Sequence, residues 1–329
     1  MSTPPPDIPR LSPASAAWTG TGLHRPECVL ATRAGDLYCA DWRGGVTRIH
    51  PDGTQTAYLG HEIDGEVMKP NGIALRADGS FLIAHLGAQT GGVFALERDG
   101  RVQPLLRTVD GLDLPPTNFV LPDARGRLWI TVSTRQTPRA LGYRHDVADG
   151  FVMLVDARGA RIVADGLGYT NECLVDRDGA FLYVNETFGR RLSRFAIRPG
   201  GSLGARETVA RFGAGTFPDG LAQDVDGDFW ITSIVSNRLI RVGRDGAQSV
   251  LLEDADPARL DAVEDAFQQH RMGREHLDTV HGHTLRNISS LAFGGPDLRT
   301  GYLGCLLGDT LATVRMPVAG LPPLHWNHA

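Results

Sequence analysis

No run of apolar residues in the chain approaches the roughly 18 needed to cross a bilayer as a helix, so nothing reads as a membrane span. The segment from Met1 to Ala17 is rich in Pro and Ser and lacks the apolar stretch of a secretory signal; the expectation is a flexible leader over 1–14 on a cytoplasmic protein. Cysteine is scarce. Cys28, Cys39, Cys173 and Cys305 lie far apart with no C-x-x-C pair, which excludes a zinc knuckle or a thioredoxin motif and leaves buried free thiols as the reading. An excess of either charge is also missing: 22% of residues are charged and the net charge is -5, so there is no basic field to draw in nucleic acid or an anionic membrane. The partner left standing is a small molecule.

What the chain has in quantity is glycine, 40 residues, and proline, 20, beside 42% hydrophobic residues. That is the profile of many short strands joined by turns, with enough apolar content for a core. Five segments share one pattern: Glu27-CVLATRAG-DLYCAD, Asn71-GIALRADG-SFLIAH, Asn118-FVLPDARG-RLWITV, Asn171-ECLVDRDG-AFLYVN and Asp219-GLAQDVDG-DFWITS. In each, a glycine (Gly35, Gly79, Gly126, Gly179, Gly227) falls eight residues after the leading polar residue, between two apolar runs, which marks a hairpin turn. Two further strand-like runs follow each hairpin, making four strands per unit. The leading residues are separated by 44, 47, 53 and 48 residues, within reach of the roughly 40 to 50 of a propeller blade. A sixth unit begins at Ser289, so the fold expected is an all-β, six-bladed β-propeller, a single domain over 15–329. The sixth unit has only a weak outer-strand candidate at Leu321 to Trp326. The segment SAAWTGTGLH (15 to 24) is therefore expected to supply the outer strand of the last blade and latch the ring.

The step from Asp219 to Ser289 carries a surplus over 254–283. Asp256-Pro257 reads as an N-cap followed by Pro at N1, and Leu260, Val263 and Phe267 recur at helical spacing, so a short amphipathic helix is expected, with a second helical turn around 274–279. Connections into an inner strand lie on the face where that strand starts, so 254–283 is expected to act as a lid-like insertion between blades five and six. Packing against the rim alone is the alternative. The excursion from Ser133 to Gly150, with Arg135, Arg139, Arg144 and His145, opens on the same face.

Residues at one repeat position of a propeller form a ring around its axis. The leading position holds Glu27, Asn71, Asn118, Asn171, Asp219 and Ser289, an oxygen-rich set without Lys, Arg or an apolar residue. A single Asn-Gly or Asp-Gly would be read as a turn; five polar residues in one register suit a hard divalent cation, which would offset the cost of burying two carboxylates. Ca²⁺ fits such donors first, with Zn²⁺, Mn²⁺ and Mg²⁺ as alternatives.

The sequences Pro26-Glu27, Thr117-Asn118, Tyr169-Thr170-Asn171, Phe217-Pro218-Asp219-Gly220-Leu221-Ala222 and Phe293-Gly294-Gly295-Pro296-Asp297-Leu298 resemble the SMP-30/gluconolactonase/LRE-like family, with similarity from about residue 20 to 318. The resemblance implies a six-bladed propeller holding one divalent metal through Glu27, Asn118, Asn171 and Asp219, and hydrolysis of a lactone or related small ester, or of phosphoesters in relatives. Asn71 is then a pocket-lining donor or a plain turn residue. Where lactonases of the family often carry Arg-x-Asn-Asp-Gly, this chain reads Pro116-Thr117-Asn118-Phe119-Val120, which puts gluconolactone in doubt and makes a less hydroxylated lactone the expectation.

In the mechanism expected, Asp219 serves as general base or nucleophile, Asn118 assists, and the metal is the Lewis acid. His85, Phe119, Trp42 and Glu186, with Ser233, are expected to shape the pocket, and His85 has the alternative of a hydrogen-bonded structural histidine. The His281-Gly-His283 pair lacks the partners of a metal site. A phosphotriesterase or lyase activity at the same site, or a non-catalytic ligand-binding propeller, are the rival readings.

Overall fold

The computed structural model describes residues 8–63, 65–279 and 281–328. The repeated glycines sit where the hairpin tips need a left-handed residue, with φ of 91°, 82°, 73°, 66° and 85° at Gly35, Gly79, Gly126, Gly179 and Gly227. Three of these turns are braced by an aspartate three residues earlier. Asp123 accepts the Arg125 and Arg127 N–H groups, Asp176 those of Ala180 and Phe181, and Asp224 those of Asp226 and Asp228. Asp123 and Asp224 also take the indole N–H of the buried Trp129 and Trp230, each at 2.9 Å, which ties turn to core.

Each hairpin is the inner half of a four-stranded antiparallel sheet, and six such sheets are present. In chain order the first five comprise strands 29–31, 37–41, 45–49 and 55–59; 70–75, 81–85, 93–96 and 102–106; 117–122, 128–132, 150–156 and 159–167; 170–175, 181–186, 191–196 and 207–211; and 217–223, 229–234, 238–242 and 248–252. The sixth pairs 288–294, 300–305 and 311–315 with the N-terminal strand 17–19. The fold is therefore an all-β propeller of six blades, with apolar clusters filling the wedges between neighbours.

Closure comes from the latch expected at the N-terminus: Ala17, Trp18 and Thr19 lie opposite Thr313, Ala312 and Leu311. Ahead of it, the Leu11 N–H bonds the Leu251 carbonyl, and Ile8 and Leu11 pack beside blades five and six. The part of the expected leader at 1–7 lies outside the described residues. Leu321 to Trp326 forms no strand. It crosses the far end of the channel, bonded to Gln223 of blade five and Arg33 of blade one, and His328 reaches the Leu75 carbonyl of blade two.

At the axis the inner strands approach too closely for a side chain between them. A Cβ on Gly220 would lie 2.6 Å from both the Ser289 carbonyl oxygen and the Ser290 Cα, and one on Gly72 would lie 2.7 Å from the Phe119 Cα. Neither glycine has a positive φ, so Asn71-Gly72 and Asp219-Gly220 are sites of close strand approach, and the turn reading does not hold for them. The pairing of inner and second strands also breaks register at the leading residue, between Pro70 and Ile73, Thr117 and Phe119, Thr170 and Cys173, Pro218 and Leu221, and Ile288 and Ser290. A bulge releases that residue from the ladder and re-aims its side chain.

The insertion holds helix α1 (Pro257–Gln268) and the single turn α2 (Glu275–Asp278). Asp256 caps α1 by accepting the Arg259 N–H at 3.0 Å, with Pro257 in the first turn. Val263 and Phe267 pack with Tyr143, Tyr169, Phe188 and Phe217, and Leu260 borders this cluster. At its root the Asp254 carboxylate accepts the N–H groups of His283, Thr284 and Leu285, so both ends of the segment are tied to one side chain.

Two outcomes test this framework. Gly220→Ala should lower the unfolding free energy by roughly 1–3 kcal/mol in urea titration, because the obstructing atoms are backbone. Deleting residues 1–20 should lower the melting temperature and promote aggregation, since it leaves 311–315 as a bare edge; equal stability of the truncated and full-length proteins would rule out the latch.

Candidate active site

The leading side chains Glu27, Asn71, Asn118, Asn171 and Asp219 are all buried. Neighbouring blades fix them through their amide nitrogens and backbone. Asn71 Nδ2 donates to the Asn118 carbonyl (3.1 Å), Asn171 Nδ2 to Thr187 Oγ1 (3.0 Å), and Thr187 in turn to the Pro218 carbonyl (2.8 Å). Asn185 Nδ2 holds the carbonyls of Asp219 and Gly220, and Ser289 Oγ donates to the Glu27 carbonyl at 2.9 Å. Ser289 thus serves ring closure. The Oδ1 atoms of Asn71 and Asn118 are buried with no hydrogen-bond partner. Two orphaned amide oxygens beside two buried carboxylates form a donor set that fits a hard cation.

Three arginines roof the ring. Arg25 donates from Nε to Glu27 Oε2 at 2.9 Å, with its guanidinium 4.3 Å from the Trp42 ring centroid. Trp42 is itself anchored by its indole N–H to the Pro70 carbonyl at 3.0 Å, so it positions Arg25. Arg139, from the loop between the second and third strands of blade three, donates from Nε to the Tyr169 hydroxyl at 3.0 Å, while its Nη1 is buried and unpartnered. Burial works against the charge on Arg139, but the Tyr169 and Tyr143 hydroxyls and Glu27 raise its pKa overall. Arg274 bonds Asp278, whose carboxylate lies 4.0 Å from Arg25, so the insertion reaches the edge of the ring. Burial would raise the Tyr143 phenol, yet Arg139 and Arg274 bring it below its ordinary value.

Burial pushes Asp219 well above the usual carboxylate range, and Glu27 and Glu172 push it the same way against Arg25 and Arg139. Glu172 is a third acidic group at the axis, one residue past Asn171. Burial raises its pKa to about 8, opposed by the Leu221 N–H bond at 2.8 Å and helped by Glu27. It borders a cavity of about 520 Å³ that occupies the channel below the ring and is closed by Leu321–His325. Phe119 lines the same cavity and packs over Gly72. It lies beneath the polar ring, so the expected pocket residue Phe119 borders this lower cavity and not the arginine-roofed face.

Three other expected pocket residues, Glu186, His85 and Ser233, are occupied elsewhere. Glu186 is fully buried, its carboxylate taken by Gly168 N–H, Arg191 and Ser193, and these contacts, which outweigh burial, hold its pKa below the ordinary value. It braces the turn into blade four and has no oxygen to offer a substrate. His85 accepts the Lys69 N–H at Nδ1 (3.1 Å) and packs edge-on against Phe94 of its own blade, the structural alternative. Ser233 likewise spends its hydroxyl on Phe217 N–H and Ser236. His281 bonds the Gly282 carbonyl and is not grouped with His283 as a metal site among the described residues.

Residues 25–253 match the family described as the SMP-30/gluconolactonase/LRE-like region. The chain belongs to this family. Among SMP-30/gluconolactonase/LRE-like relatives it is 28% identical over 285 residues to a 6-deoxy-6-sulfogluconolactonase of Pseudomonas putida, covering 84% of this chain and 81% of that one. It is 26% identical over 277 residues to a pentonolactonase of Haloferax volcanii, with 83% and 78% covered. A solved gluconolactonase from Xanthomonas campestris superposes with a TM-score of 0.67 at 20% identity over 96% of this chain and 94% of its own, a likeness of fold.

The sequence reading missed Glu172, although a signal existed: Cys28, Gly72, Phe119, Gly220 and Ser290 hold the equivalent position, and Glu172 alone there is charged. Its pKa has a thermodynamic consequence. Between the ordinary value of 4.5 and about 8 the folded state keeps a proton that the unfolded chain loses. Stability in the presence of chelator should therefore fall as pH rises through that window, by up to about 1.4 kcal/mol per pH unit for this group. Glu172→Gln, which can still accept the Leu221 N–H, should flatten the slope in urea titrations at stepped pH; an unchanged slope would count against the buried acid.

Proposed function

We propose that the protein hydrolyses a sugar-type lactone on the arginine-roofed face of the ring, with one divalent cation, Ca²⁺ first, held by Glu27, Asn118, Asn171 and Asp219. The observation carrying the proposal is the buried ring itself, two carboxylates and unsatisfied amide oxygen facing cationic side chains. When bound, the cation supplies Lewis acidity to the lactone carbonyl and offsets the repulsion between Glu27 and Asp219. Asp219 is the one carboxylate whose contacts leave it available. Arg25 and Arg139 favour its ionised form, in which it takes the proton of the attacking water or attacks the acyl carbon itself. Glu27, bound to Arg25, stays fixed. Asn118 orients the carbonyl end of the substrate, and Asn71, whose amide nitrogen is committed to Asn118, lines the wall with its oxygen.

The ester carbonyl gains negative charge as the ring opens, and the product is a carboxylate. Arg139 is placed for both events: its Nη1 is free, and it lies close enough to act on Glu27 and Asp219. Guanidinium and phenol groups from Arg139, Tyr143 and Tyr169 also suit hydroxyl recognition. The arginine missing at Pro116 is thus no loss of cationic character, and with Phe119 below the ring the case for an apolar substrate lapses. The sugar lactones named for the two relatives agree with this reading.

A pH-stat screen of sugar, aliphatic and aromatic lactones with Ca²⁺, Zn²⁺, Mn²⁺, Mg²⁺ or chelator decides the matter. Turnover of a sugar lactone is expected, abolished by chelator and reduced roughly 10²- to 10⁴-fold in Asp219→Asn. Activity indifferent to both chelator and Asp219→Asn would sink the mechanism, and no turnover of any lactone with any metal would sink the activity.

A further inference from the structure

We propose a second metal site, separate from the ring, formed by His145, Asp146 and His270 and suited to a borderline transition-metal dication such as Zn²⁺. One ligand atom from each lies within 4.8 Å of the others. His145 Nε2 and His270 Nε2 are 2.8 Å apart, and His270 Nε2 is 3.6 Å from Asp146 Oδ1. These separations bracket the edge of roughly 3.3 Å of a tetrahedron whose metal–ligand bonds are about 2.0–2.1 Å. All three residues are exposed, so a water can complete the coordination.

The residues come from two segments that the fold brings together. His145 and Asp146 sit in the loop of blade three that carries Arg139 and Tyr143, and His270 follows the C-terminus of α1 in the insertion. Each is held in place independently. The His145 ring packs edge-on against Phe267 of α1 at 5.7 Å. His270 adopts a left-handed φ of 57°, set by its N–H bond to the Phe267 carbonyl. Asp146 is gripped by both Nε and Nη2 of Arg144, at 2.9 and 2.7 Å, which keeps its carboxylate ionised.

Two imidazoles and one carboxylate are nitrogen-dominated donors, unlike the all-oxygen ring, and Ca²⁺, which takes 6 to 8 oxygens, is a poor match for them. The site acts as a clasp. A metal there ties the insertion to the loop bearing Arg139 and holds the roof of the ring shut, without touching Glu27 or Asp219.

Zn²⁺ is titrated calorimetrically into the full-length protein held in excess Ca²⁺, which keeps the oxygen donors occupied. Wild type should take one equivalent. His145→Gln and His270→Gln, folded by circular dichroism, should each weaken binding by at least about 100-fold. Zn²⁺ should also slow proteolytic cleavage between 269 and 283 in wild type and in neither variant. Calcium-supported activity should persist in both variants, so failure of the clasp leaves the axial reaction standing, and the reverse. Equal Zn²⁺ isotherms for wild type and variants, no Zn²⁺ uptake, or proteolysis insensitive to Zn²⁺ in wild type would overturn the proposal.

Discussion

The inner strands of adjacent blades meet at the axis without side chains between them, and most of the rest of the molecule follows from that contact. Gly72 and Gly220 permit it, and Gly304, on the second strand of blade six, lets that blade close in on blade one, since its Cβ would lie 2.4 Å from the Glu27 carbonyl oxygen. Close approach puts carbonyls of one blade within reach of side chains of the next, and Asn71, Thr187, Asn185 and Ser289 use that reach to bind blade to blade. The same residues that hold the ring together therefore fix the positions of the polar groups it encloses. Precision at the site needs no separate scaffold.

Charge at the axis is stacked in layers. Arg25, Arg139 and Arg274 lie on the insertion side, Glu27 and Asp219 in the middle, and Glu172 beneath, above an apolar cavity. Buried like charges are costly, and here the middle layer is flanked by cations on one side only. Glu172 can relieve the repulsion by keeping its proton, whereas Asp219 relies on the arginines or on a cation. That asymmetry distinguishes two carboxyl groups lying near one another and gives each a different role.

Much of this was legible in the sequence because it repeats. The glycine eight residues past each leading polar residue marked the hairpins, and Asp256-Pro257 with Val263 and Phe267 marked α1 and its packed face. The missing outer strand of the sixth unit pointed to the segment ending at His24. Register alone brought Glu27, Asn71, Asn118, Asn171, Asp219 and Ser289 to one ring, and the family resemblance singled out Glu27, Asn118, Asn171 and Asp219 among them. What stayed hidden does not repeat. Arg139 and Arg274 sit in a loop and an insertion, where no period says which way a side chain turns, and the bulges that re-aim the ring residues leave no local mark. Trp42 was expected in the pocket wall and acts as the platform for Arg25, whereas Glu186 and His85 end their strands as the repeat requires but are committed to bonds within or beside their own blades. Phe119 is one residue past Asn118, and a register break at the ring decided which side of it that ring of carbon would face.

The latch has a consequence for how the chain is made. Thr19 meets Thr313 across 294 residues of sequence, so strand 17–19 has no partner until 311–315 has been made. At about 5 to 20 residues per second of synthesis, it must wait on the order of 15 to 60 s for 311–315 to appear. Blades one to five can each assemble from neighbouring sequence during that interval, while Trp18 and its neighbours remain an unpaired apolar tail on the nascent chain. Ring closure therefore comes after the folding of the first five blades, and until that late step the open edge of blade six is the part most exposed to capture by chaperones.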